Sequence, residues 1–166
     1  VKIALLIHSN TGNTLSVAQR LRAELEAAGH QADILAVKAR EASGGLPRSI
    51  AFDSIPDLAS YEGIVAGAPV QAFSPAPVMA AFLKRLPRLE GKTAGCFVTQ
   101  GFPFSWMGGN RSVRLMKRLL KKKGAAVAGS GVVNWGRSCR ERLIEQTVER
   151  LAGLFPDVPD SMTSQS

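Results

Sequence analysis

The stretch Ser9-Asn10-Thr11-Gly12-Asn13-Thr14 decides the fold because of what flanks it. Before it, Ile3-Ala4-Leu5-Leu6-Ile7 is continuously apolar, the composition of a parallel strand covered on both faces. After it, Val17, Ala18, Leu21, Leu25 and Ala28 recur at helical spacing. Arg20, Arg22, Glu24 and Glu26 fall among the positions left to solvent, and Gly29 stops the helix. A strand, a tight polar turn and a helix therefore follow in order.

Such a turn leaves the first amides of the helix without intrahelical acceptors, at the positive end of the helix dipole. An anion is the natural occupant. Ser9, Thr11, Asn13 and Thr14 add side-chain donors, and Gly12 lets the backbone approach a ligand with no Cβ in the way. Hydrogen bonds to an ionised group contribute roughly 1.5–3 kcal/mol each, so four would hold a phosphate firmly. The turn has no Lys or Arg, so it is not the P-loop, and it lacks the three spaced glycines of the dinucleotide fingerprint. The plainer alternative is a solvated turn with a Thr or Asn cap.

A chain of 166 residues suits one domain with a sizeable core, expected here over residues 1–155 with a loose tail at 156–166. No apolar run reaches the roughly 20 residues of a membrane span, and no charged-then-apolar leader precedes the first strand, so the expected location is the cytoplasm. Cys96 and Cys139 are too few for a disulfide framework or a cysteine-rich metal site. Cys96 reads as core packing in an apolar strand. Cys139, between Arg137 and Arg140, reads as a plain thiol, with activation by those cations as the alternative.

Further strands are expected over 32–37, 63–68, 93–99 and 125–133. Helices are expected over 78–86, 111–123 and 140–154. The stretch 38–60, with Gly44-Gly45, Pro47 and Pro56, reads as a long connection holding at most one short helix. Two prolines bracket 68–75, which predicts a loop with no regular structure. A second loop, 100–110, is dominated by glycines and aromatics. Five strands alternating with helices give an α/β, three-layer fold: a five-stranded parallel sheet with helices on both faces. Ligands of such sheets sit beyond the carboxyl ends of the strands, where the three unusual loops 9–14, 68–75 and 99–110 all fall.

The turn resembles the (Ser/Thr)-x-Thr-Gly-x-Thr phosphate loop of the flavodoxin family, in the same place after the first strand. Ala66-Gly67-Ala68-Pro69 is similar to that family's Gly-x-Pro flavin loop, and the resemblance covers nearly the whole chain. It implies FMN as cofactor, its phosphate held by Ser9, Asn10, Thr11, Gly12, Asn13 and Thr14. By the same analogy Ala68, Pro69, Val70, Gln71 and Phe73 cover part of the ring. Thr99, Gln100, Gly101 and Phe102, with the Gly108-Gly109 turn, supply main-chain donors. The departure is that 68–75 holds no Trp or Tyr to stack on the ring; Phe73 is the nearest substitute. Phe102, Phe104 and Trp106 either cover the flavin or plug into the core or a dimer face, and Trp135 reads as structural. His8 reads as a histidine fitted into the strand edge, with assistance to the phosphate as the alternative.

The formal charge is +8, and seven basic residues with no acid lie between Arg111 and Lys123. One reading is a solvated helix face. The other is a docking patch for an acidic redox partner or an anionic substrate. The expected function is an FMN-binding electron carrier, with an FMN-dependent NAD(P)H:quinone-type oxidoreductase as the alternative. A nucleic-acid binder is a distant third, since no recognised module accompanies the basic residues. A receiver domain is excluded by the missing acidic cluster, and a hydrolase by the missing nucleophile elbow.

Overall fold

The computed structural model describes residues 1–40, 50–101, 104, 106 and 108–157. Among these the elements are β1 (Lys2–Ile7), α1 (Asn13–Ala27), β2 (Gln31–Ala36), β3 (Gly63–Gln71), β4 (Ser74–Pro75), α2 (Pro77–Arg85), β5 (Thr93–Gln100), α3 (Gly109–Lys122), β6 (Ala126–Asn134) and α4 (Arg140–Ala152). The sheet order is β2-β1-β3-β5-β6, all parallel, with the two-residue β4 pairing antiparallel to the end of β3.

Side-chain alternation along the strands builds two cores. On β1, Ala4 and Leu6 face one side, with α2 residues Met79, Phe82 and Leu83 and α3 residues Met116, Leu119 and Leu120. Ile3, Leu5 and Ile7 face the other, against Val17, Leu21 and Leu25 of α1 and Ile144, Val148 and Leu151 of α4. Each fully buried aliphatic side chain contributes roughly 1.5–3 kcal/mol, which is why Ile3–Ile7 of β1 holds no polar position. On β3, Gly67 faces the α1–α4 side, where a Cβ would overlap the ring of Phe97. Burial pushes the Cys96 thiol up to about 12, so at neutral pH it is an uncharged core residue, as expected.

One expectation is corrected. The segment 68–75 is regular: β3 runs through Pro69 to Gln71 and folds back on Ser74–Pro75 as a hairpin. β1 makes its last strand pair at Ile7 opposite Gly67, and the His8 amide bonds the Gly67 carbonyl. Pro69 points the same way one rung later, past the end of β1, where its carbonyl accepts the Ala76 amide at 2.9 Å; the Ala76 carbonyl accepts the Met79 amide, so the missing Pro69 N–H strands no acceptor. Phe155, the last residue of the expected domain, belongs to the α1–α4 core. Phe155 is only 4% exposed, its ring fills the space beside Gly63, and His30 Nε2 donates to its carbonyl at 3.2 Å. Of the tail itself, residues 158–166 lie outside those described.

In the connection between β2 and β3, residues 38–40 and 50–60 contain no helix; 41–49 lie outside the described residues. No helix among the described residues is long and apolar enough to cross a membrane. Phe155→Ala is expected to lower stability by about 3–5 kcal/mol, as for truncation of a fully packed core ring, and chemical denaturation reads this directly.

Candidate functional site

The carboxyl ends of β1, β3 and β5 meet along one rim of the sheet, where the loops after them come together. Gly12 sits before α1 with φ +90, a left-handed conformation that favours glycine, and a Cβ there would touch nothing within 4 Å. The backbone conformation requires the glycine, where the sequence suggested close approach. Ser9 Oγ accepts the Gly12 amide at 3.1 Å and the Leu15 amide at 3.4 Å, fixing the curl of the loop. The amides of Thr11, Asn13 and Thr14 have no intramolecular acceptor among the described residues. They form a ring of donors at the helix's positive end, with no acid in the first turn. A phosphate fits that donor set.

Thr14 has a different role from the one its place in the loop suggested. Its side chain is buried, and its hydroxyl shares a 2.8 Å hydrogen bond with the hydroxyl of Thr99 at the end of β5. This bond braces the start of α1 against the third loop. The sequence held one signal for it, since Thr14 lies on the same helical stripe as Val17, Leu21 and Leu25. His8 Nδ1 donates to the Val37 carbonyl at 3.0 Å, tying β1 to the chain after β2, in line with a strand-edge role.

Around the rest of the rim, Ala68 is buried, Pro69 and Val70 are half-buried, and Gln71 is exposed. The β3–β4 hairpin turns on Ala72 (φ 47) and Phe73 (φ 60), the positive pair of a tight primed turn occupied by residues other than glycine. Left-handed backbone costs such residues about 1–2 kcal/mol each. The turn holds Phe73 outward, 49% exposed. Gly108, φ +113, packs so closely that a Cβ would lie 2.7 Å from the Phe73 Cα. A Cβ on Gly109 would run into Val132 and the Gln100 side chain. Gly108 thus closes the second and third loops on each other, and Gly109 seats the start of α3 against β6 and Gln100. Gln100 is buried and ties the third loop to the end of β6: Nε2 donates to the Phe104 carbonyl at 2.7 Å and to Asn134 Oδ1, while the Gln100 main-chain carbonyl accepts the Trp135 amide at 2.7 Å. Gly101 is exposed, and nothing lies within 4 Å of where its Cβ would be. Phe102 lies outside the described residues.

The rim thus carries open backbone at Thr11, Asn13 and Gly101, and exposed rings at Phe73, Phe104 (49%) and Trp106 (74%). Phe104 and Trp106 stack on each other, centroids 5.9 Å apart and planes 9° from parallel. Trp135, half-buried, packs against the α1–α4 core and carries the Arg140 guanidinium over its ring at 5.0 Å, in line with a structural role. No Asp or Glu occurs in residues 8–14, 68–76 or 99–110. Among the described residues no cluster of His, Cys, Asp and Glu is arranged to hold a metal.

The model of one protein family, described as NADPH-dependent FMN reductase, matches residues 1–148. The chain belongs to that family. Solved structures share its fold. Oxidised flavodoxin 2 from Bacillus cereus matches with a TM-score of 0.69 at 18% identity, over 93% of this chain and 100% of that one. A Fusobacterium nucleatum flavodoxin variant bound to flavin mononucleotide matches with a TM-score of 0.62 at 14% identity, over 93% and 96%. Rubredoxin oxygen:oxidoreductase from Desulfovibrio gigas matches with a TM-score of 0.63 at 15% identity; 92% of this chain covers 36% of that larger one. A search of the curated proteins finds no match. The fold is flavodoxin-like and the family is FMN-binding, as the resemblance implied, and FMN is the cofactor these comparisons support.

Two substitutions separate bracing from binding. Thr99→Val strands the buried Thr14 hydroxyl and is expected to cost about 1–3 kcal/mol, seen as a lower Tm. Thr11→Ala breaks no contact within the fold. It is expected to leave Tm unchanged while weakening FMN binding about tenfold by fluorescence titration.

Proposed function

We propose that the protein is an FMN-dependent electron carrier whose residues hold the flavin at the rim and present one edge of it to a partner. Bound FMN supplies the redox chemistry, taking up and releasing electrons. The amides of Thr11, Asn13 and Thr14, with the Thr11 and Asn13 side chains, hold the phosphate. The chain at Ala68–Gln71 and Thr99–Gly101 would line the polar end of the ring, and Phe73 would cover part of it.

The observation that carries the reading is the exposure of Phe73, Phe104 and Trp106 beside a crevice without carboxylates. Large apolar side chains left in water at a cofactor rim mark a surface that another molecule covers. A second reading, an FMN-dependent reductase oxidising NADPH, is favoured by the family's description and by the stacked Phe104–Trp106 pair, a planar platform for a nicotinamide or quinone ring.

Rapid mixing distinguishes them. Protein loaded with one FMN per chain, mixed without oxygen with NADPH in excess, is expected to keep its flavin absorbance for many seconds. Bleaching at roughly 10 per second or faster, near typical enzyme turnover, would establish the reductase instead.

A further inference from the structure

The two helical layers differ sharply in charge. In α1, Arg20 and Arg22 are balanced by Glu24 and Glu26, and in α4 three arginines are balanced by three glutamates. These charges pair with each other: Arg20 with Glu141 at 2.8 Å across the two helices, Arg22 with Glu26 at 2.8 Å within α1. On the opposite face α2 and α3 together hold eight cations and no acid, equal to the formal charge of the whole chain.

The α3 cations are also unpaired. Among the described residues none of the side chains of Arg111, Arg114, Lys117, Arg118, Lys121 and Lys122 makes an ion pair or hydrogen bond. Arg114, Arg118 and Lys122 are exposed and four residues apart, so they form a line down one helix face, where like charges repel. The fold gains nothing from this arrangement, and an anionic partner would relieve it.

Placement decides what kind of partner. The line starts at the rim, because α3 begins at Gly109, directly after the loop carrying the exposed Phe104–Trp106 stack. From Arg111 to Lys122 it runs about 16 Å at helical rise. An apolar spot bordered by one sign of charge on that scale suits the roughly 800 Å² patch of one protein partner. A bilayer or a duplex would engage the cations without needing the exposed rings at the cofactor rim.

We propose that the Phe104–Trp106 stack and the Arg111–Lys122 face of α3 together dock an acidic redox protein, whose carboxylates lie along Arg114, Arg118 and Lys122. The proposal rests on the FMN electron-transfer reading for its purpose, though not for its geometry. Charge steering would act mainly on the rate of encounter.

The test mixes oxidised FMN-loaded protein with reduced acidic plant-type ferredoxin, which gives up one electron to the flavin, and, as the reversed-charge control, reduced FMN-loaded protein with oxidised basic cytochrome c, which takes one electron from it, each followed by stopped flow. Electron transfer with ferredoxin is expected to slow at least tenfold between about 20 and 200 mM salt. R114E/R118E/K122E is expected to slow it about tenfold at low salt, to speed the reaction with cytochrome c, and to leave FMN content unchanged. Arg118→Glu alone, which removes repulsion within α3, serves if the triple variant fails to fold, with a roughly threefold loss expected. A variant that reacts with ferredoxin as fast as the parent would overturn the proposal. So would phosphatidylserine vesicles or duplex DNA binding the parent where ferredoxin does not. Titration calorimetry with FMN-free protein keeps the two readings apart: ferredoxin binding that persists when no flavin is taken up sinks the electron-carrier reading and supports the docking face.

Discussion

The structure depends on the burial of β1, β3 and β5 on both faces. A strand whose alternate side chains are all apolar has no side to show to water, so helices must cover both. Parallel pairing then returns the chain the same way after every strand and collects the turns that follow β1, β3 and β5 at one rim. Ser9–Thr14, the β3–β4 hairpin and the loop before α3 are neighbours for that reason. The Thr14–Thr99 bond and the contact of Gly108 with Phe73 fix their spacing, and Gln100 ties the third loop to the end of β6.

Much of this was legible in the sequence, because apolar periodicity reports two-sided burial directly. The strands, the helices and the rim location of the three loops follow from it. What stayed hidden depended on distant partners. Pro69 looked like a strand terminator until the end of β1 was known to fall short of it. Phe155 ends the domain against Gly63 and His30, neighbours that nothing local marks. At Gly108 and Gly109 the sequence could not show that their missing side chains also make room for Phe73, Val132 and Gln100. The loop at Ser9–Thr14 was the easiest to read, since its chemistry is carried by consecutive residues.

Stability and function make different demands on the two helical layers. Opposite charges bridge α1 and α4, and although exposed ion pairs contribute little, they do no harm. In α3 each like-charge neighbour costs about 0.2–0.5 kcal/mol, with no acid in the helix to offset it. The apolar stripe of Val113, Met116, Leu119 and Leu120 is deep enough to hold the helix in place regardless.

The ring of Phe97 occupies the volume that a side chain at Gly67 would need. The two positions on adjacent strands therefore share one allotment of space, and neither can vary alone. Enlarging residue 67 demands a smaller partner at 97, and shrinking 97 leaves a void that only a bulkier 67 refills. Such a coupled pair sits directly beneath the second loop, so any drift in it would tilt the hairpin that presents Phe73 and change the shape of the rim from below.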